Sequence, residues 1–401
     1  MTVAAARTTA VPGTRQAVLA IAALSLGAVG IGVSEFVTMG LLPEIADGVR
    51  VDIPTAGHLV SAYAFGVVVG APVIAATAAT LPRKGLLLTL LGAFLVGTVL
   101  TVAAPGYGTL LAARFVAGLP HGAYFGVASL VAASLVAPQH KGRAVSSVML
   151  GLSVATLAGV PAATWLGQHL GWRTAFVAVL GLAGATVVAV LAAVPRTPGN
   201  PAATVRSELG ALRRPQVWLT LGVAVVGFGG FFALYTYIAP LTTDVAGLDA
   251  GFVPLVLLAF GVGGVLGTVL GGKLADVALF GSLVWAMAAT GVLLGAVYWG
   301  SRSPVSLVAL AFCITVVTSV LVVTLQLRLM EVARDAELLG AALNHSALNA
   351  ANGVGAILGG AVVAAGWGYR STAVVGVVLA LLGLGVLAVS AQLRRAELRA
   401  R

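Results

Sequence analysis

The chain has 401 residues, 60% of them hydrophobic and only 8% charged, with a formal net charge of +10. A water-soluble domain carries about 25% charged residues, so the composition excludes a soluble globular protein and predicts an integral membrane protein. A single cysteine, Cys313, excludes an intramolecular disulfide, and five scattered histidines without HExxH or CxxC spacing argue against a metal site.

Apolar segments long enough to cross a bilayer, about 20 residues, follow one another along the whole chain. They are read as helices at 17–43, 55–80, 84–105, 107–131, 142–168, 173–195, 216–243, 250–275, 281–300, 303–328, 338–365 and 369–391. The first is too long for a cleaved leader and holds Glu35, so it reads as a retained helix. The longest polar stretch, "RTPGNPAATVRSELGALRRP" at 196–215, separates two six-helix halves, 17–195 and 216–391, with tails at 1–16 and 392–401. If both termini are cytoplasmic, seventeen lysines and arginines, Arg328 among them, fall on the cytoplasmic side. Four fall outside, and Arg114 stays within the membrane. That bias sets the orientation, with odd helices running outward. The basic charge therefore reads as membrane topology rather than as a nucleic-acid footprint.

The two halves repeat. Pro43 and Asp47 of "PEIAD" recur 197 residues later as Pro240 and Asp244 of "PLTTD"; "GWR" at 171–173 recurs at the same offset as "GYR" at 368–370; "AFGV" at 64–67 recurs at 259–262. Six helices per half make corresponding helices run the same way, a parallel repeat of the kind found in transporters that open a central site alternately to each side.

Glu35 lies in the run "GIGVSEFVTMG", eight residues before Pro43 and so roughly 12 Å deep, and Arg114 lies seven residues into the fourth helix, roughly 10 Å deep. They are the two charges that the predicted spans place well inside the membrane. Isolated charges there are very unfavourable, so both are expected to face the bundle interior and to be within reach of each other. Either the pair is a structural lock, or Glu35 is a titratable carboxylate whose proton affinity is set by burial and by the arginine. Arg114, Gly118, His121 and Phe125 share a face of the fourth helix, as His345, Asn349, Asn352 and Ala356 do on the eleventh. His121 is either a second proton site or a satisfied structural group. The two amides either join helices or line a cavity. Phe228, Phe232 and Tyr235, with Phe231, Tyr237, Tyr63 and Met39 as further candidates, are either packing or an apolar cavity wall. Gly159, Pro161 and Gly167 in the fifth helix, and Gly353, Gly355, Gly359 and Gly360 in the eleventh, favour close and bendable packing.

These residues carry a family resemblance. "SEFVTMGLLPEIA" (34–46), "LVSAYAFGVVVGAP" (59–72), "LPRK" (81–84), "RFVAGLPHGAYFG" (114–126), "KGRA" (141–144), "GVPAATWLGQHLGWR" (159–173) and "LNAANGVGAILGG" (348–360) resemble major facilitator superfamily exporters of the twelve-span drug:H+ antiporter type, close to arabinose-efflux-like and chloramphenicol-exporter-like permeases. The resemblance implies an all-α membrane fold and no enzyme activity. It implies proton-driven efflux of a small amphiphilic molecule from a bacterial cell, with Glu35 and Arg114 as the proton-coupling pair. The helix-5 antiporter motif corresponds to Gly159, Pro161 and Gly167. Beyond protons no cofactor and no metal is implied, and the partners are the cargo and the lipid bilayer, with the chain acting as a monomer. One departure stands out: "TAATLPRKG" keeps the basic residues of the loop between helices 2 and 3 but lacks its usual aspartate, whereas "GGKLAD" retains Asp276. A sugar or nucleoside exporter is the alternative within the class; a polytopic enzyme or a sensor is disfavoured by the repeat and by the absence of any soluble domain.

The charge bias makes a direct forecast: reporters fused after Arg401 and inserted near Arg206 both read out as cytoplasmic. A signal from the opposite side at either position would overturn the twelve-span map.

Overall fold

In a hydrocarbon environment every backbone N–H and C=O must be bonded within its own segment or across a closed barrel. The protein meets this with helices alone. The structure, a computed structural model, describes residues 14–78, 81–137, 140–196, 210–333 and 337–399. The expected N-terminal tail, most of the linker between the halves, the last two residues, and the side chains of Lys141, Arg143 and Asp276 lie outside the described residues.

Among the described residues, twelve helices are long and apolar enough to cross a membrane. In chain order, spans 1 to 6 are Arg15–Gly40, Ile53–Ala71, Arg83–Ala103, Tyr107–Ser134, Ala144–Leu170 and Trp172–Ala193. Spans 7 to 12 are Pro215–Thr236, Ala250–Ala275, Val277–Gly300, Pro304–Ala333, Leu343–Trp367 and Ser371–Ala396. Twelve spans return the chain to the end of the bundle at which it began.

The packing repeats as the sequence does. Span 1 packs on spans 5 and 6, span 2 on span 4, and span 3 on spans 4 and 6. The second half matches this: span 7 packs on spans 11 and 12, span 8 on span 10, and span 9 on spans 10 and 12. Between the halves, span 2 lies along span 11 and span 5 lies along span 8, the two equivalent pairs of a twofold-related seam. The seam is close because it is built on small residues. A Cβ on Gly261 would meet the backbone of Leu157 at 2.6 Å, and one on Gly353 would touch Ala64 and Phe65.

The repeated landmarks have matching geometry. Span 1 ends in an elbow at Leu41 (φ −113°, ψ 20°), followed by the short helix Leu42–Val49. Span 7 ends in the same elbow at Tyr237 (φ −106°, ψ 24°). The helices predicted to continue to 43 and 243 are thus broken three to seven residues earlier. "GWR" and "GYR" both start a span after a glycine at positive φ, Gly171 (90°) and Gly368 (75°), where a side chain would be strained. The arginine that follows ties off a neighbouring helix. Arg173 donates to the carbonyls of Val102 (3.1 Å) and Ala104 (2.9 Å) at the end of span 3. Arg370 donates to the carbonyl of Tyr298 (2.6 Å) at the end of span 9. Orphan carbonyls and the negative end of the helix dipole both favour a cation there.

Other boundaries depart from the expectation. Span 4 is interrupted between Gly118 and His121, where Pro120 has no N–H to give. Span 5 widens to a π-turn at Ala155–Gly159, immediately before Pro161. Spans 8 and 9 follow each other almost without a loop, the chain reversing at a kink where Ala278 leaves the helical conformation (φ −159°, ψ 79°). Span 10 runs to Ala333, so Arg328 lies within the helix rather than at its end. It is buried, donating to Glu331 Oε2 (2.8 Å) and to Gln216 Oε1 (3.2 Å).

Replacing Arg173 or Arg370 by alanine is expected to lower stability by about 1–3 kcal/mol each, the net worth of hydrogen bonds from a charged donor. The two losses should add, because the sites share no partner. Thermal unfolding in detergent measures both; an unchanged Tm for either variant would show that its helix end is satisfied in another way.

Candidate functional site

A cavity of about 230 Å³ lies between the halves, walled by spans 1, 5, 7, 8, 10 and 11. Six aromatic rings supply most of one side: Phe36 from span 1, Phe228, Phe231, Phe232 and Tyr235 from span 7, and Phe260 from span 8. They pack on each other, with Phe231 stacked on Phe228 (5.3 Å) and on Tyr235 (5.4 Å), and Tyr235 edge-on to Phe260 (4.9 Å). A row of hydroxyls, Thr268 on span 8 and Thr315, Thr318 and Ser319 on span 10, lines the other side with Thr156 of span 5. Glu35 and Asn349 are the strongest polar groups on the wall, and among the described residues no lysine, arginine or histidine lines it.

The cavity runs from the level of Glu35 toward the end that carries both termini: Thr268 and Val322 are each seven residues beyond Gly261 and Thr315 in that direction, roughly 10 Å. At the opposite end it is closed. There Tyr237, wholly buried, donates to the carbonyl of Ala356 (3.0 Å) and lies across the seam against Gly57 of span 2. Leu42, Ala46 and Ala56 pack around it.

Glu35 and Arg114 are both buried but do not pair. Arg114 turns into the first half, where its Nη1 donates to Ser34 Oγ (3.2 Å) and its guanidinium lies 4.3 Å from the centre of the Tyr63 ring, a cation–π contact. Glu35 turns toward the seam. Its Oε1 accepts from Asn352 Nδ2 of span 11 (3.4 Å), and its Oε2 lies 3.9 Å from His121 Nε2. His121 Nδ1 is 3.0 Å from the Tyr63 hydroxyl. With Nδ1 accepting from Tyr63, the Nε2 hydrogen faces Glu35. A polar chain thus leads from Arg114 through Tyr63 and His121 to Glu35 and across to Asn352. The expected opposite-charge contact is absent, and each ion turns to neutral neighbours instead, Arg114 to Ser34 and the Tyr63 ring and Glu35 to Asn352.

The shared face predicted on span 4 is present. The Arg114 guanidinium, Gly118 and His121 all meet Tyr63, and Phe125 stacks on His345 (5.7 Å) across the seam. Of the cavity candidates, Phe228, Phe232, Tyr235 and Asn349 are on the wall. Tyr63, His121, Phe125, His345 and Asn352 sit behind it. Met39 is fully buried in an apolar cluster that holds Val160 of span 5 and Phe228 of span 7, and it is not on the cavity wall. Gly159 and Gly167 pack against Val33 and Leu41, and Gly355 and Gly359 against span 7. These four glycines therefore join helices within a half. Glycines at the seam include Gly40, Gly57, Gly261, Gly353 and Gly360. The walls from spans 8 and 10 were missed, although Gly261, Gly264, Val265 and Thr268 step at helical spacing and Thr315, Thr318, Ser319 and Val322 do the same.

Residues 24–341 match the Major Facilitator Superfamily. The chain is 42% identical over 371 residues to the inner membrane transport protein YdhP of Escherichia coli strain K12, covering 92% of this chain and 95% of the relative. It is 35% identical over 354 residues to the chloramphenicol resistance protein of Streptomyces lividans, covering 87% and 89%. Among solved structures, a bacterial homologue of the human lysosomal transporter Spinster, inward-facing and unoccupied, superposes with a TM-score of 0.75 at 15% identity, covering 95% of this chain and 98% of that one.

Phe231→Ala is expected to weaken binding of a flat aromatic probe such as ethidium roughly two- to tenfold, the range of one lost aromatic contact. Met39→Leu should leave affinity unchanged. Equal effects of the two in a fluorescence titration would place the binding surface elsewhere.

Proposed function

The chain belongs to the major facilitator superfamily of membrane transporters, and from that premise we propose that it exports a small amphiphilic molecule in exchange for protons. The central cavity opens alternately to the two sides of a bacterial cytoplasmic membrane, with both termini in the cytoplasm. One observation carries the reading: the wall of the central cavity combines six aromatic rings with a single carboxylate, Glu35, and no basic side chain. Such a wall favours a cargo with an apolar, flat body and a hydrogen-bond donor or positive charge, and disfavours anions. A sugar or nucleoside, which needs many paired polar groups, fits the aromatic side less well. The name of the Streptomyces lividans relative supports an antibiotic as cargo.

Glu35 is the coupling group in this reading. A carboxylate in a low-dielectric seam is held by Asn352 and faced by the His121 ring. A proton accepted on the outer side removes the charge, so no ion has to be carried through the closed interior. Release toward the cytoplasm restores the charge and frees the cavity for the next cargo molecule. His121 and Tyr63 stand behind Glu35 as groups able to pass or share that proton. The reading needs no cofactor or metal, and treats the chain as a monomer in lipid with no nucleic-acid partner.

In vesicles with an imposed pH gradient, wild-type protein should concentrate a cationic aromatic probe against its gradient. Glu35→Gln should still insert and bind but only equilibrate the probe. Uphill accumulation by Glu35→Gln at the wild-type level would remove Glu35 from coupling.

A further inference from the structure

The Glu35–Asn352 hydrogen bond is unusual among the polar contacts of the seam. It joins span 1 in the first half to span 11 in the second, between side chains that are 5% and 0% exposed. A second bond lies beside it, from Ser61 Oγ to the carbonyl of Gly353 (3.0 Å), and a third at the closed end, from Gln168 Nε2 to the carbonyl of Ala250 (2.9 Å). The acceptors of those two are backbone carbonyls. Only the bond at Glu35 can respond to a proton.

Asn352 is not on the cavity wall, so direct contact with cargo does not account for it. Its Oδ1 is buried with no hydrogen-bond partner. Placing an amide in a helix seam with one end unsatisfied is unfavourable unless the other end makes a strong bond. A carboxylate acceptor supplies one: hydrogen bonds to an ionised group are roughly twice as strong as neutral ones. The other ionisable groups around Glu35 are His121 and Arg114 on span 4, Tyr63 on span 2 and Tyr235 on span 7, with His345 of span 11 next to His121. None of them replaces Asn352: His121, Arg114 and Tyr63 belong to the same half as Glu35, and Tyr235 makes no hydrogen bond to it among the described contacts.

We propose, resting on the exchange reading above, that Asn352 is a positioning residue which latches the empty, ionised transporter shut at the end away from the termini. Parting the halves at that end pulls span 11 from span 1 and takes from the Glu35 carboxylate its amide donor. Two events release the latch. A proton on Glu35 removes the charge that makes the bond strong. A cargo molecule that offers Glu35 its own donor from the cavity takes the place of the amide. An empty, ionised transporter has neither and stays closed. That rule makes exchange obligatory, because an empty, deprotonated protein that reopened outward would collect another proton and carry it in without moving cargo.

The test is proton leak in the absence of cargo. Vesicles containing wild-type protein should hold an imposed pH gradient. Vesicles with Asn352→Leu should lose it about tenfold faster, as expected for the loss of one charge-assisted hydrogen bond, while ethidium affinity in detergent does not fall below the wild-type value, because cargo no longer has to displace the amide. Asn352→Ser, too short to reach Glu35, should behave the same way and serves if the leucine variant does not fold. A second readout is spin labels at Asp47 and Asp249, both exposed at the closed end, with Cys313 replaced by serine. At pH 8.5 without cargo, wild type should show only the short distance, and both Asn352 variants should add a longer one. If the Asn352 variants neither leak nor open while Glu35→Gln fails to pump, the latch is wrong and the exchange reading stands. If Glu35→Gln pumps uphill as wild type does, both fall.

Discussion

A charge buried in a membrane protein has to be met by protein groups or by a polar cavity, because hydrocarbon cannot meet it, and here two opposite charges turn to different neighbours. Arg114 is covered from within its own half by the Tyr63 ring and Ser34. This requires spans 2 and 4 to come within backbone distance, and they do so where glycines allow it: a Cβ on Gly118 or Gly66 would strike the carbonyl of Tyr63 or Phe115. With Arg114 engaged, Glu35 is left to look for partners on the other side of its helix, at the seam. The close approach of spans 2 and 4, the buried Tyr63–His121 pair and the reach of Asn352 across the seam all follow from that single partition.

Much of this was legible in the sequence, and the parts that were not share a physical cause. Hydropathy reports how deep a residue lies but not which way it points around its helix. Glu35 and Arg114 were placed correctly at similar depth, while their contact was not, because a difference of rotation about two axes sends one guanidinium to Tyr63 and one carboxylate to Asn352. Arg328 illustrates a second limit. A charge at the edge of an apolar run was taken as the end of the span, whereas the helix continues to Ala333 and the buried arginine donates to Gln216 and to the half-exposed Glu331. The hydroxyl wall was hidden for a third reason. Thr268 and Thr315 hydrogen-bond to carbonyls four residues back in their own helices, at 2.8 and 2.7 Å, so they behave as small apolar residues in any count of polarity.

The repeat was the most informative signal, since it rests on positions that have one geometric solution. A glycine at positive φ, an aromatic residue and an arginine that caps a neighbouring helix end make a corner that other residue types build poorly, so "GWR" and "GYR" persist as text because they persist as structure. The features that differ between the halves are equally instructive. The carboxylate and its histidine neighbour belong to the first half; most of the aromatic wall and the hydroxyl row belong to the second.

That unequal division bears on how such a protein can change over generations. The side chains that would sort one cargo from another sit chiefly on spans 7, 8 and 10, while the acid that would handle protons stands on span 1, with His121 of span 4 and Asn352 of span 11 against it. Point changes in the aromatic and hydroxyl walls can therefore alter which molecules are tolerated without disturbing the bonds around Glu35. A lineage exposed to a new toxic compound has a route to a new cargo that leaves its power supply untouched, and the two six-helix halves are free to drift at different rates.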